Sequence, residues 1–168
     1  TTDLITRITD TAGVAASFIT WLNLAEQHNV SLTFSVPFQI TKWWSSFSNL
    51  SGYYTRNIAD YGNGKSVDLA ATTFNMYAQE TFTLPHDFRL EISGWYNSPS
   101  LWGGTFRMGG MGSLDIGIQK KLLNNRANLK VSVSDVLKTN KWHGVSQFGA
   151  LYMNINGGWD SRRLKVNF

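Results

Sequence analysis

Three histidines, His28, His86 and His143, are the residues of this sequence best suited to hold a metal ion or move a proton. Each lies in a different segment, and none has the His-x-x-x-His spacing that sets two imidazoles on one helical face. The chain has no cysteine, so thiolate ligands and disulfides are both excluded. Serines are frequent, yet none sits in a Gly-x-Ser-x-Gly elbow of the kind that activates a nucleophile. The run G-G-T-F-R-M-G-G-M-G, Gly103 to Gly112, is no dinucleotide loop because no helical pattern follows it. Glycines of this kind in a strand permit curvature or lie beneath a neighbouring aromatic ring. These patterns predict no catalytic residue, no metal and no cofactor, and hence no enzyme.

Chemistry of another sort is spread along the chain at a spacing of two. Arg89 and Glu91 alternate with Phe88, Leu90 and Ile92; Asp115 alternates with Leu114, Ile116 and Ile118. Lys130 falls between Leu129 and Val131, with Val133 following, and Arg163 and Lys165 flank Leu164 before Val166 and Phe168. Strand side chains point to opposite faces in turn, so each segment has one apolar wall and one wet wall. Charges of both signs on the wet wall are placed to pair across neighbouring strands.

The elements that carry these residues follow from the same alternation. Strands are predicted over Thr1–Thr6, Phe18–Val36, Trp43–Arg56, Val67–Leu84, Phe88–Tyr96, Phe106–Lys121, Ala127–Leu137 and Trp159–Phe168, eight in all. Short turns at Pro37–Thr41, Pro85–Asp87 and Leu122–Arg126 alternate with longer loops at Asn57–Ser66, Asn97–Thr105 and Lys138–Gly158, the last with room for a small hairpin. Glu26 and His28 fall on the apolar phase, which places the top of their strand above any lipid. Glu80 is a misfit on the apolar phase of its own strand, explained by a bulge or by contact with protein.

Composition narrows the class. Aromatic residues make up 14% of the 168 residues and charged residues only 15%, against about 25% charged in ordinary globular chains. No run approaches the length of a membrane helix. Aromatic pairs Trp43/Trp44 and Tyr53/Tyr54 bracket one strand, as rings at two headgroup levels would. The expected fold is all-β: an antiparallel transmembrane β-barrel segment of about eight strands. A soluble sandwich or lipocalin-type barrel is the alternative, with the same faces turned inside out. The net charge of +4 is dispersed, without a basic arm, and predicts no nucleic-acid partner. Thr1 opens directly into a strand pattern, without initiator Met or signal peptide, which reads as a processed or truncated start.

The tail S-D-V-L-K-T-N-K-W, continuing to G-G-W-D-S-R-R-L-K-V-N-F, resembles the end of the Bacteroidota outer-membrane β-barrel family of TonB-dependent receptors. T-T-D-L-I-T, N-L-A-E-Q-H-N-V-S-L-T-F-S-V-P-F-Q-I-T-K-W-W and W-Y-N-S-P-S-L-W-G-G-T-F match the same pattern. The resemblance implies that residues 1–168 are a single barrel segment, the C-terminal part of a larger barrel of about 22 strands, with plug and N-terminal strands absent. It also implies nutrient uptake across the outer membrane of a Gram-negative bacterium. The partners implied are outer-membrane lipid and lipopolysaccharide, the remaining strands and plug of the same polypeptide, TonB through the missing N-terminal part, and the barrel-assembly machinery. Leu114, Ile116, Ile118, Leu129, Val131 and Val133 are expected on the lipid side, and Arg89, Glu91, Asp115, Lys130, Arg163 and Lys165 on the lumen side. Leu164, Val166 and Phe168 are candidates for the assembly signal. Trp102, Trp142, Lys138 and Lys141, together with Arg56 and Lys65, are candidate rim contacts for lipopolysaccharide phosphates or extracellular ligands. A structural or docking barrel subunit of an envelope complex, and a self-contained eight-stranded barrel, are the alternative functions.

Overall fold

The computed structural model describes the chain except for residues 1, 13–15, 61–65, 103–105, 125 and 149–150, and side chains are described for most positions from residue 26 onward. Twelve β-strands and no helix make up the described residues. They are β1 (Thr2–Ala12), β2 (Ala16–Thr41), β3 (Trp44–Asp60), β4 (Ser66–Leu84), β5 (Phe88–Asn97), β6 (Ser100–Trp102), β7 (Phe106–Met108), β8 (Met111–Leu122), β9 (Ala127–Ser134), β10 (Lys141–Phe148), β11 (Leu151–Gly158) and β12 (Arg163–Asn167). Eight form one antiparallel sheet in the order β1-β2-β3-β4-β5-β8-β9-β12, and four short ones form a second, β11-β10-β7-β6. The main sheet is open. Its first and last strands, β1 and β12, are not laddered to one another.

Three short turns lie at one end of the main sheet, and two of them are where the sequence predicts them. At Pro85-His86-Asp87, His86 and Asp87 both adopt φ of 60°, and at the 123–126 turn Leu123 and Asn124 adopt 52° and 54°. Asn accepts this left-handed region readily, whereas Leu is uncommon there. The predicted turn at Pro37–Thr41 is a correction. β2 continues to Thr41, Pro37 pairs with Phe47, and the turn falls at Lys42 and Trp43. Among the described residues this half of β2 is laddered to β3 alone, since β1 reaches only to Glu26, and Pro37 keeps its place in that ladder opposite Phe47. The loop predicted from Asn57 begins later as well, since β3 runs on to Asp60.

The other end carries the longer connections. The segment predicted as the Asn97–Thr105 loop contains β6, and the predicted Phe106–Lys121 strand is broken into β7 and β8 at Gly109 and Gly110. The excursion from Lys138 holds the expected hairpin, β10 with β11. This second sheet is tied to the main one where the Thr73 hydroxyl donates to Pro99 O (3.1 Å), and Ser98 bonds both ways with the backbone of Phe74 (each 2.9 Å). Beneath these ties, Asn57, Ala59, Val67 and Thr73 are buried on the polar phase of β3 and β4.

The registers join the alternating faces into two continuous surfaces. Phe34 pairs with Leu50 and Leu50 with Met76; Phe82 pairs with Leu90, Leu90 with Ile118 and Ile118 with Val131; Val131 pairs with Val166. This apolar face is exposed: Leu32 by 62%, Phe34 by 56% and Leu164 by 70%. Among the described residues only Ala59 and Val67 are buried apolar side chains. A water-soluble domain of this length would bury a sizeable core and would not expose an apolar surface running from β2 to β12. The soluble reading fails on that ground.

Candidate functional site

On the polar face, pairing across strands occurs where the register allows it. Lys130 on β9 and Glu91 on β5 form an ion pair across the intervening β8, where Gly117 stands between Glu91 and Ser132. A Cβ at Gly117 would lie 3.3 Å from Lys130 Cε, so the missing side chain leaves the lysine its path over β8. Asp115 accepts from the Ser113 hydroxyl at 3.3 Å and from the backbone N–H of Asp135 at 2.8 Å. Arg89 lies opposite Thr83 and Gln119, and Arg163 and Lys165 lie opposite Ser134 and Ser132, all exposed. Of the six charges predicted for this wall, the structure therefore joins two as a pair and gives Asp115 a structural role.

The apolar phase holds the residues assigned to it. Leu114 lies opposite Gly94, Ile116 between Ile92 and Val133, and Ile118 between Leu90 and Val131. Leu129 faces Lys120, whose ammonium lies 4.6 Å from the Phe88 ring centre at the short-turn end. Val133 pairs with Leu164, Val131 with Val166, and Phe168 follows β12, largely exposed. Toward the loop end the same phase turns polar. Glu26 pairs with His28 at 2.6 Å, and Arg56 meets Asp68 with two bonds of 2.9 and 2.8 Å. Arg56, expected as a rim cation open to phosphate, is instead engaged by a carboxylate. Lys65 lies outside the described residues.

Asp135 is the buried loop anchor that sequence reasoning missed. It is 2% exposed, with φ of 46°. Its carboxylate accepts from the backbone N–H groups of Thr139 (2.9 Å) and Asn140 (3.3 Å) and from the Ser161 hydroxyl. Arg162 returns to the backbone carbonyls of Asp135 and Val136. One carboxylate thus ties the start of the long β9–β12 connection to its end. The Ser161 hydroxyl, the largest influence, holds its pKa below the ordinary 3.8; burial opposes it, and the backbone N–H groups of Thr139 and Asn140 add to the lowering. The signal was present in S-D-V-L-K-T-N: an Asp four residues before Thr, an Asx-type loop closure.

The same connection helps build a cavity of about 520 Å³ at the loop end. Trp102, Phe106, Met108, Trp142, Ile155 and Trp159 supply most of its wall, with Asn97, Ser98 and Ser100 on the polar side. Trp102 and Trp142, separate loop candidates in the sequence, are brought together here, while Lys138 and Lys141 stay exposed outside the lining. Trp102 meets Phe106 edge-on, with ring centres 6.1 Å apart. Trp142 lies over Gly157, where a Cβ would come within 2.5 Å of the indole. His143 lies against Gly109 in the same way, and the three histidines do not converge; no group of potential metal ligands occurs among the described residues. An uncharged aromatic wall with a few amide and hydroxyl groups can bind a ring-bearing ligand.

A model of the outer membrane protein beta-barrel family matches residues 1–168. The chain belongs to that family. No curated protein and no solved structure matches it. Membership in the outer membrane protein beta-barrel family implies an outer-membrane location. It also accounts for a sheet with an exposed apolar face and almost no buried core, since barrels of this kind meet the membrane with strands.

Proposed function

We propose that the chain is a wall segment of a large TonB-dependent receptor barrel in the outer membrane of a Bacteroidota bacterium, serving nutrient uptake. In this reading Leu114, Ile116, Ile118, Leu129, Val131 and Val133 contact lipid, and Arg89, Glu91, Asp115, Lys130, Arg163 and Lys165 line the lumen. The short turns face the periplasm, and the Trp102–Trp142 cavity with Lys138 and Lys141 faces the cell exterior. Leu164, Val166 and Phe168 present the assembly machinery with an alternating apolar end. Plug, TonB contact and remaining strands come from the same polypeptide.

The observation that carries the reading is the open, two-faced sheet. Residues 27–41 of β2 have no partner on one side among the described residues, and β12 is paired only with β9. Unpaired backbone groups cost several kcal/mol each in hydrocarbon, so further strands must cover these edges in the membrane. The aromatic cavity supplies a ligand contact on the outward rim. The test is TonB dependence. Full-length protein extracted from the outer membrane should bind the periplasmic domain of TonB, and ligand accumulation should stop when an uncoupler collapses the proton gradient. Accumulation that survives the uncoupler, with no TonB binding, would overturn the TonB-dependent reading.

A further inference from the structure

Glu80 occupies the apolar phase of β4, between Ala78 and Phe82, and opposite Ile92 on β5. No bulge accommodates it, for the β3–β4 register is regular from Trp44↔Phe82 through Ser46↔Glu80 to Asp60↔Ser66. Its two oxygens accept from separate neutral donors, the Trp44 indole N–H at 2.5 Å and the Ser46 hydroxyl at 2.6 Å. Two donors aimed at two oxygens suit a carboxylate, which accepts at both. Among the described residues no cation pairs with it.

The surroundings match a positively charged visitor. Trp44 stacks on Phe82 with ring centres 5.6 Å apart, and Trp43 lies 6.2 Å from each of them. Trp43 is 52% exposed, so one indole of the cluster remains open. Lys42 is exposed in the same short turn. Indoles rest at the headgroup level of a bilayer, where a carboxylate is far less costly than at the midplane. An ionisable group on such a face marks a site with a partner of opposite charge. An anion under a partly exposed aromatic cluster, whose turn also carries an exposed lysine, is complementary to an ammonium joined to a phosphate.

We propose that Glu80 with the Trp43, Trp44 and Phe82 cluster binds the ammonium of a zwitterionic aminophospholipid headgroup, in the leaflet on the short-turn side, while Lys42 meets its phosphate. The site rests on the reading that the apolar face lies in lipid. It adds a headgroup preference that the family fold alone does not require, and it explains why an acid is built into that face.

Native mass spectrometry of the full-length protein, released from nanodiscs holding equal ethanolamine, glycerol and choline phospholipids, tests this. The ethanolamine lipid should be retained about tenfold over the glycerol lipid, the factor that one charge-assisted hydrogen bond supplies. Glu80→Gln should abolish the preference, and Lys42→Gln should reduce retention of all three phospholipids. Equal retention of ethanolamine and glycerol lipids by the unaltered protein overturns the site, as does a preference that survives Glu80→Gln. If Glu80→Gln fails to fold, the unaltered protein and Trp43→Leu, expected to weaken ammonium retention, still decide. Failure of the underlying orientation looks different: the protein would then retain no lipid of any class.

Discussion

Glu80 and Glu91 lie almost side by side on neighbouring strands, one register step apart, yet on opposite faces of the main sheet. Glu91 points to the polar face and finds an ammonium, Lys130, reaching it over the gap left by Gly117. Glu80 points to the apolar face and, among the described residues, is held by an indole and a hydroxyl. The difference shows how the two faces manage charge. The polar face neutralises Glu91 with a side chain of the same chain, while the apolar face keeps charge to its margins and gives Glu80 neutral donors. At the loop end the Glu26–His28 and Arg56–Asp68 pairs close the apolar band from above, with ionisable side chains meeting one another at that margin.

The largest expected effect breaks this contrast at its centre. Val131→Arg should cost about 2–4 kcal/mol of stability in urea titrations of the protein folded into liposomes, and Ser132→Arg much less. Equal costs would mean the faces are not different solvents. Next comes the loop end. Asp135→Ala removes the acceptor shared by Thr139, Asn140 and Ser161, and protease cleavage within residues 138–140 should rise about tenfold. Because the folded state lowers the Asp135 pKa, the anchoring is complete above the ordinary 3.8 and is lost as pH falls through the lower folded value. Cleavage of the unaltered protein should therefore rise only in strong acid, and a rise near neutrality would contradict the assignment.

Smaller effects sharpen the picture. Gly157→Ala should cost about 1 kcal/mol by forcing the Trp142 indole off the strand, and should quench or shift its fluorescence at the cavity. Unchanged stability and emission would mean the ring does not rest there. The smallest effect is expected for Lys130→Gln, below about 1 kcal/mol in the same titrations, since the pair is partly open to water. A cost like that of Val131→Arg would show the polar face to be dry.

Much of the fold was legible because alternation is a local property. Val131, Ile118 and Leu90 each declare their face from their own neighbours, and the registers only join what was already sorted. The turns at Pro85 and at Asn124 were equally local. Pro37 misled, because whether a proline breaks a strand depends on whether its ladder position needs an N–H donor, which only the register decides. Glu80 was visible as a misfit, but its partners come from another strand, thirty-four and thirty-six residues away. The cavity was hardest to foresee. Trp102, Trp142 and Trp159 converge only after β6, β7, β10 and β11 assemble as a second sheet.

The central claim is that the apolar face meets lipid and the polar face meets water. These 168 residues contain no cysteine, so single cysteines can be placed at will. Spin labels at Val131 and Val166, and at Ser132 and Lys165, should be compared in membranes for collisions with oxygen, which concentrates in hydrocarbon, and with a water-soluble nickel complex. Oxygen should dominate at Val131 and Val166 and nickel at Ser132 and Lys165. The reverse pattern, or equal access at all four positions, would contradict the account.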